Sequence, residues 1–342
     1  MKTIIVDMMG GDKAPAETVK GVALAAKEFD AKYILVGIKD ELLAAADANN
    51  ISLDDFEIVD TPTVITMDDD PISVTRSKSD SSMSVALRML AESKGDAVVS
   101  TGNTGALFTG STLIVRKMKN LRRPAIAALL PMQPPVLLLD SGANISVTPE
   151  YLEQFAVMGS AYMKYIHGLE NPRVGLLNNG EEEHKGTQLQ VDTYKLLREN
   201  EDINFVGNVE GNRVMSNVCD VLVADGFTGN IFLKTMEGMG KLMLKTLKGI
   251  FYTNTKTKVC ALMVQHQIKD VKKKFDTREF GGAPILGISK PVIKAHGSSD
   301  AKAFKNAIRQ AIAFSEADLT SDMEATLASL AERKKAQKKA DE

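Results

Sequence analysis

Short apolar runs recur along the chain: TIIVD (3–7), YILVG (33–37), FEIVD (56–60), DAVVS (96–100), AIAALL (125–130), VLLLD (136–140), RVGLLN (173–178), INFVG (203–207), DVLVAD (220–225) and PVIKAH (291–296). Between many of them apolar positions return at three- and four-residue steps, which predicts amphipathic helices over 15–29, 80–93, 149–167, 187–199 and 300–317. Continuous apolar strands alternating with such helices predict a largely parallel sheet covered on both faces, a doubly wound α/β/α fold. The expected organisation is a single α/β/α domain over 1–319, a protruding helical hairpin inserted at about 236–275, and a charged helical tail over 320–342.

The strands share a way of ending. Asp7 is followed by MMGGD, Ser100 by TGNTG, Asp140 by SGAN, Asn178 by NGEEEHKG, Asp225 by GFTGN and His296 by GSSD. In an open parallel sheet these turns would gather outside the carboxyl ends of the strands, where ligands bind. Each runs into a helix start, whose free N–H groups and positive dipole end favour anions. No G-x-G-x-x-G follows the first strand and no G-x-x-x-x-G-K-[ST] occurs, so the expected ligand is a small anion such as phosphate rather than a nucleotide. Lys294 and His296 stand out because an apolar strand should not end in two cationic side chains without partners or a ligand.

Composition narrows the class. The chain has 342 residues, 44% of them hydrophobic and 25% charged, which suits a soluble globular protein. Cys219 and Cys260 show no disulfide or zinc spacing, and no signal peptide opens the sequence, so a reducing, cytoplasmic setting is expected. No apolar run reaches the roughly 20 residues of a membrane span, leaving peripheral contact as the only expected membrane association. The triplets Asp68–Asp70 and Glu181–Glu183 lack the spacing of a hard-metal site, and no metal ligand is assigned. Cys219 beside a strand and Cys260 in VCALMV read as small core residues rather than nucleophiles.

The net charge of −2 is unevenly spread. Residues 241–274 hold nine lysines against Asp270 alone, about +8, leaving the remainder near −10. Lys241, Lys245 and Lys248 recur at helical spacing beside Leu244, Leu247 and Phe251, and Lys256 and Lys258 follow. This pattern suits a buried helical hairpin at a dimer interface, an anionic membrane surface or an acidic carrier protein. Few aromatics and no nucleic-acid motif set nucleic acid aside.

The strings VDMMGGDKAP (6–15), RSKSDSSM (76–83), GDAVVSTGNTGAL (95–107), RPAIAALLP (123–131), LLDSGAN (138–144), VGLLNNGEEEHKG (174–186), FVGNVEG (205–211), DVLVADGFTGNIFLKTMEG (220–238), FGGAPILG (280–287) and PVIKAHGSSDAKAFKNAIRQA (291–311) resemble, in order, the motifs of the bacterial phosphate acyltransferase family PlsX. The resemblance covers nearly the whole chain. It implies conversion of long-chain acyl-ACP and inorganic phosphate to acyl phosphate and free acyl carrier protein, feeding phosphatidic acid synthesis and a downstream glycerol-3-phosphate acyltransferase. It also implies a homodimer with a fold similar to phosphotransacetylases and isopropylmalate-type dehydrogenases, a location at the inner face of the cell membrane, and neither metal nor organic cofactor. The sequence departs from the family at Lys13, where a His is usual, and at Asn212–Arg213, where an Arg directly after GNVEG is displaced by one. Those positions are poor candidates for indispensable chemistry.

The implied reaction is attack of phosphate on a thioester carbonyl, which needs positioning, charge neutralisation and donors for the developing oxyanion more than a base. Phosphate is expected at the helix starts after GNTG and GSSD, among Gly102, Thr104, Gly297, Ser298, Lys185 and Lys294, with Gly10, Gly11, Asp12, Asn144, Arg76 and Lys78 also at the substrate site. Asn103 and Asn230 are the candidates for holding the thioester oxygen. His296 donates to the leaving sulfur or orients phosphate, and Asp225 orients a Lys or His; the alternatives are that Asp225 and Asp140 cap helices and that His296 is structural. With no G-x-S-x-G elbow, direct transfer without an acyl-enzyme is expected. The competing functions are a short-chain phosphotransacetylase, a dehydrogenase of similar fold, or a non-catalytic membrane-surface scaffold for acyl-ACP.

Overall fold

The computed structural model describes residues 1–268, 277–317 and 319–341. Its eleven-stranded sheet runs in the order β3 (Glu57–Asp60), β2 (Ala31–Gly37), β1 (Lys2–Asp7), β4 (Ala97–Ser100), β11 (Val292–Ala295), β10 (Gly282–Leu286), β5 (Ala125–Leu130), β6 (Val136–Leu139), β9 (Val221–Val223), β7 (Arg173–Asn178), β8 (Asn204–Glu210). The helices are α1 (Ala16–Glu28), α2 (Lys39–Ala48), α3 (Ser82–Ala91), α4 (Thr104–Gly110), α5 (Pro149–His167), α6 (Gln188–Glu199), α7 (Gly226–Phe251), α8 (Thr255–Met263), α9 (Ala301–Glu316) and α10 (Leu319–Asp341). The predicted helices all form. β4, β6, β9 and β11 are buried along their whole length, which is why they read as unbroken apolar runs.

The sheet consists of two parallel blocks that run in opposite directions. β3, β2, β1, β4 and β11 are mutually parallel, as are β6, β9, β7 and β8. Between the blocks, β11–β10, β10–β5 and β5–β6 are all antiparallel, and three reversals leave the blocks opposed. The six strand-end turns therefore do not share one edge. Those after Asp7, Ser100 and Ala295 lie at one edge, and those after Leu139, Asn178 and Val223 lie at the other. Apolar periodicity carries no record of strand direction, so the reversal was invisible in the sequence.

The second block seats α7 through two features. The buried Asp140 carboxylate gathers the backbone N–H groups of Ile126, Gly142, Ala143 and Asn144 and the Asn144 side-chain amide at 2.7–3.2 Å, fixing the 140–144 turn. The first turn of α7 rests on it so closely that a Cβ at Gly229 would stand 1.9 Å from the Asp140 carbonyl oxygen. Gly226 and Gly229 are the only fully buried residues of α7, and after Phe232 and Leu233, which pack half-buried on the core, the helix leaves it. The C-terminal helix does the reverse. Leu319, Met323, Leu327 and Leu330 of α10 are buried in the main core, and Lys334 and Arg333 pair with Glu153 and Asp202, so much of the expected tail is structural.

Candidate active site

Three turns of the first block pack backbone to backbone. Asp12 N–H donates to the Gly297 carbonyl at 2.9 Å, the Thr101 hydroxyl donates to the Gly10 carbonyl, and Lys13 Nζ donates to the Ser298 carbonyl at 3.0 Å. Gly10 and Gly11 permit this approach. A Cβ at Gly10 would stand 2.4 Å from the Gly102 nitrogen, and Gly11, at φ +93°, would meet Thr101 and Gly297. Beneath them the buried Asp7 carboxylate accepts the hydroxyls of Ser82 (2.7 Å) and Ser100 (2.6 Å), and Ser100 Oγ accepts the Gly102 N–H at 3.0 Å. Burial raises the Asp7 pKa against these hydrogen bonds. All the donors suit an ionised carboxylate.

Lys294 is 8% exposed, and its ammonium donates to the carbonyls of Thr101 and Ala295, with no carboxylate of the described residues in contact. Burial lowers its pKa to about 8, with Asp12 and Asp7 pulling upward. His296, next along the turn, is exposed. Its Nδ1 lies 3.2 Å from the Ser298 backbone N–H, which can only donate, so Nδ1 accepts and the ring proton sits on Nε2. Ser298 Oγ, 2.9 Å from the same nitrogen, holds the ring as well. Burial lowers the His296 pKa, and the positive charges of Lys234, Lys294 and Lys241 lower it further, partly opposed by Glu237. A neutral N–H donor in a field of three cations is the chemistry of an anion seat.

Lys234 and Lys241 belong to α7, which therefore stands beside both edges. On one stripe Asn230 lies against Gly142, and Lys234, Glu237 and Lys241 stand near His296. At about 100° per residue these positions share a face. Thr228, Ile231, Phe232 and Thr235 form another stripe, facing the 178–190 segment that carries Lys185. The structure thus brings together the turns of Gly10–Asp12, Gly102 and His296 with Lys234 and Lys241 of α7, sets Asn230 against Gly142 one helical turn before Lys234, and sets Lys185 on a different side of that helix. Among the described residues no hydrogen bond or ion pair engages the side chains of Asn230, Lys185 or Arg76.

Several expected site residues prove to be structural. Asn103 Oδ1 caps α4 through Ala106 N–H, and its amide donates to the carbonyls of Thr66, Met67 and Asp69 at 3.1–3.2 Å, so it has no donor for an oxyanion. Asp225 accepts Phe227 N–H, Thr228 N–H and the Thr228 hydroxyl, capping α7 instead of orienting a Lys or His. Asn144 is held by Asp140 and the Pro124 carbonyl. Lys78 pairs with Asp69 at 2.6 Å and with the Val64 carbonyl. The α9 N-terminus after GSSD is already filled: Ala301 N–H donates to Glu17 and Ala303 N–H to Asp300. Thr104 is exposed at the start of α4. Two residues carry little signal in the sequence: Asp7 reads as a strand end, and Ser299, whose buried hydroxyl has no partner among the described residues, reads as part of a turn. Cys219 is buried with its pKa pushed up to about 12, chiefly by burial, whereas Cys260 is exposed on α8, contrary to its reading as core.

The basic segment runs from the end of α7 through a turn at 252–254 into α8, with Lys241, Lys245, Lys248, Lys256 and Lys258 exposed and Phe251 half-buried. Leu242, Met243, Ile250, Leu262 and Met263 are exposed as well, at 55–77%. The lysines at 269 and 272–274 lie outside the described residues. Among described helices, none is long and apolar enough to cross a membrane.

The fold is shared with solved enzymes. It matches the EutD phosphotransacetylase from Staphylococcus aureus at TM-score 0.60 and 12% identity, covering 92% of this chain and 93% of that one. The 4-hydroxythreonine-4-phosphate dehydrogenase from Klebsiella pneumoniae matches at TM-score 0.56 and 12% identity, covering 92% and 100%. The class of fold is therefore phosphotransacetylase-like α/β/α. A phosphate acyltransferase of Fusobacterium nucleatum is 45% identical over 95% of this chain and 98% of its own length, and one of Clostridioides difficile is 42% identical over 94% of each. A family model described as fatty acid synthesis protein matches residues 2–322. The chain belongs to the PlsX phosphate acyltransferase family, and its activity is acyl transfer to phosphate.

Proposed function

We propose that the acyl donor is a long-chain acyl-ACP and that phosphate is seated beside His296. A phosphate oxygen attacks the thioester carbonyl, the C–S bond breaks, and the carrier leaves as thiolate and takes up a proton, giving acyl phosphate and free ACP. The carrying observation is the exposed Nε2–H of His296 within the field of Lys234, Lys241 and Lys294. These groups neutralise phosphate and orient it, while Asn230, on the same stripe of α7, donates to the developing oxyanion without titrating. Phosphate-dependent release of thiol from palmitoyl-ACP tests this. His296→Asn is expected to lower kcat/KM for phosphate by about 10²-fold. A wild-type protein that binds the carrier but releases no thiol would instead be a scaffold.

The exposed lysines and apolar side chains of α7 and α8 support docking of the acidic carrier and an anionic membrane surface by a homodimer, placing acyl phosphate beside a glycerol-3-phosphate acyltransferase. Changing Lys241, Lys245 and Lys248 together to Glu is expected to release the protein from phosphatidylglycerol vesicles in a flotation assay and to weaken carrier binding. Unchanged flotation and carrier binding would remove the arm from this role.

A further inference from the structure

A cleft of about 560 Å³ lies between α7 and the segment joining β7 to α6, within the roughly 300–1,000 Å³ typical of ligand sites. Leu177, Ile231 and Phe232 supply apolar walls, and Thr187, Thr228 and Thr235 add methyl groups. Ile231 is 53% exposed, so its side chain is apolar without serving the core, while Phe232 packs one side of the cleft onto the core of the second block. Two of the uncommitted polar side chains flank the cleft in sequence. Asn230 stands between Thr228 and Ile231, and Lys185 directly precedes Gly186 and Thr187. Phe227, 59% exposed, lies between the cleft stripe and the His296 stripe when positions are turned by about 100° per residue.

We infer that this cleft seats the acyl chain of the donor and sets its length preference, the chain running from a carbonyl at Asn230 over Ile231 into the cleft toward Thr235. A transfer enzyme for acyl groups must shelter an apolar chain from water, and the site beside His296 is polar and cationic. The cleft provides apolar surface on a neighbouring face of the same helix, with the exposed Phe227 between the two stripes. Its far wall, at Thr235, is one helical turn beyond Ile231.

The inference rests on acyl transfer to phosphate and not on the identity of the carrier. The chain contains no tryptophan, so a single introduced indole reports on the cleft alone. Thr235→Trp narrows the far end. It is expected to raise the ratio of kcat/KM for octanoyl-ACP over palmitoyl-ACP by about tenfold or more. Phe232→Trp, a milder change, is expected to show emission quenched by dibromostearate and not by stearate, with no carrier present. An unchanged chain-length ratio together with absent quenching overturns the inference. So does a Thr235→Trp variant that changes only molar mass in light scattering, which would make the cleft a subunit contact. Quenching without thiol release from any acyl-ACP would keep the cleft as an acyl seat and count against the carrier reading instead.

Discussion

Lys294→Met is expected to remove most phosphate-dependent turnover, by about 10²–10³-fold, while making the folded protein more stable near neutral pH. The two effects have one cause. A buried ammonium with no carboxylate of the described residues in contact is held in the fold for its charge, and its pKa of about 8 measures the strain of keeping it there. The folded pKa lies below that of the unfolded lysine, so between about pH 8 and 10.5 the unfolded chain binds more protons and stability rises with pH. Below pH 8 the penalty is fully present, at most about 3 kcal/mol, and Met avoids it. Urea unfolding should show wild type gaining on the variant between pH 8 and 9.5. Activity should run the other way, with KM for phosphate rising as Lys294 loses its proton above about pH 8. A variant less stable than wild type at pH 7, with full activity, would mean that Lys294 is a structural donor to Thr101 and Ala295.

The second large effect is expected at Gly229. A methyl group there would stand 1.9 Å from the Asp140 carbonyl, and neither backbone can yield, because the 140–144 turn is fixed by the five donors on Asp140. Gly229→Ala should cost about 3 kcal/mol and displace Asn230, so turnover falls even where the protein remains folded. Gly238→Ala, on the same helix with nothing within 4 Å of its Cβ position, should stabilise by about 0.5–1 kcal/mol. Similar urea midpoints for the two variants would show that α7 does not depend on its seat on the turn.

Strands and helices were legible because their burial is simple: β4, β6, β9 and β11 are covered on both faces and so appear as unbroken apolar runs. Strand direction was not legible. The short antiparallel β10, within FGGAPILG, starts the reversal that sends the Asp140, Asn178 and Asp225 turns to the far edge. Site residues divide along a related line. Asp225 caps its own helix, the alternative its position offered, while Asn103, Asn144 and Lys78 have the right chemistry but give donors to carbonyls of other segments, such as the Thr66–Asp69 loop under Asn103. Type and spacing cannot show such partners. His296 and Lys294 stood out because a cationic strand end is anomalous in any topology. Ser299 did not, since an orphaned hydroxyl is visible only in three dimensions.

The 26 residues of α7 make one rod of about 39 Å, with Asn230 near its seated end and the lysine-rich arm at its free end. Gly238 and Gly240 lie between Glu237, which faces His296, and the arm, and neither has a neighbour within 4 Å. They are the places where the helix is intrinsically weakest. A force taken up by the arm is therefore spent first as bending at these glycines. The portion of the rod that carries Asn230 and Lys234 stays anchored on Asp140, whereas Lys241, beyond the glycines, ties the phosphate seat to whatever the arm holds.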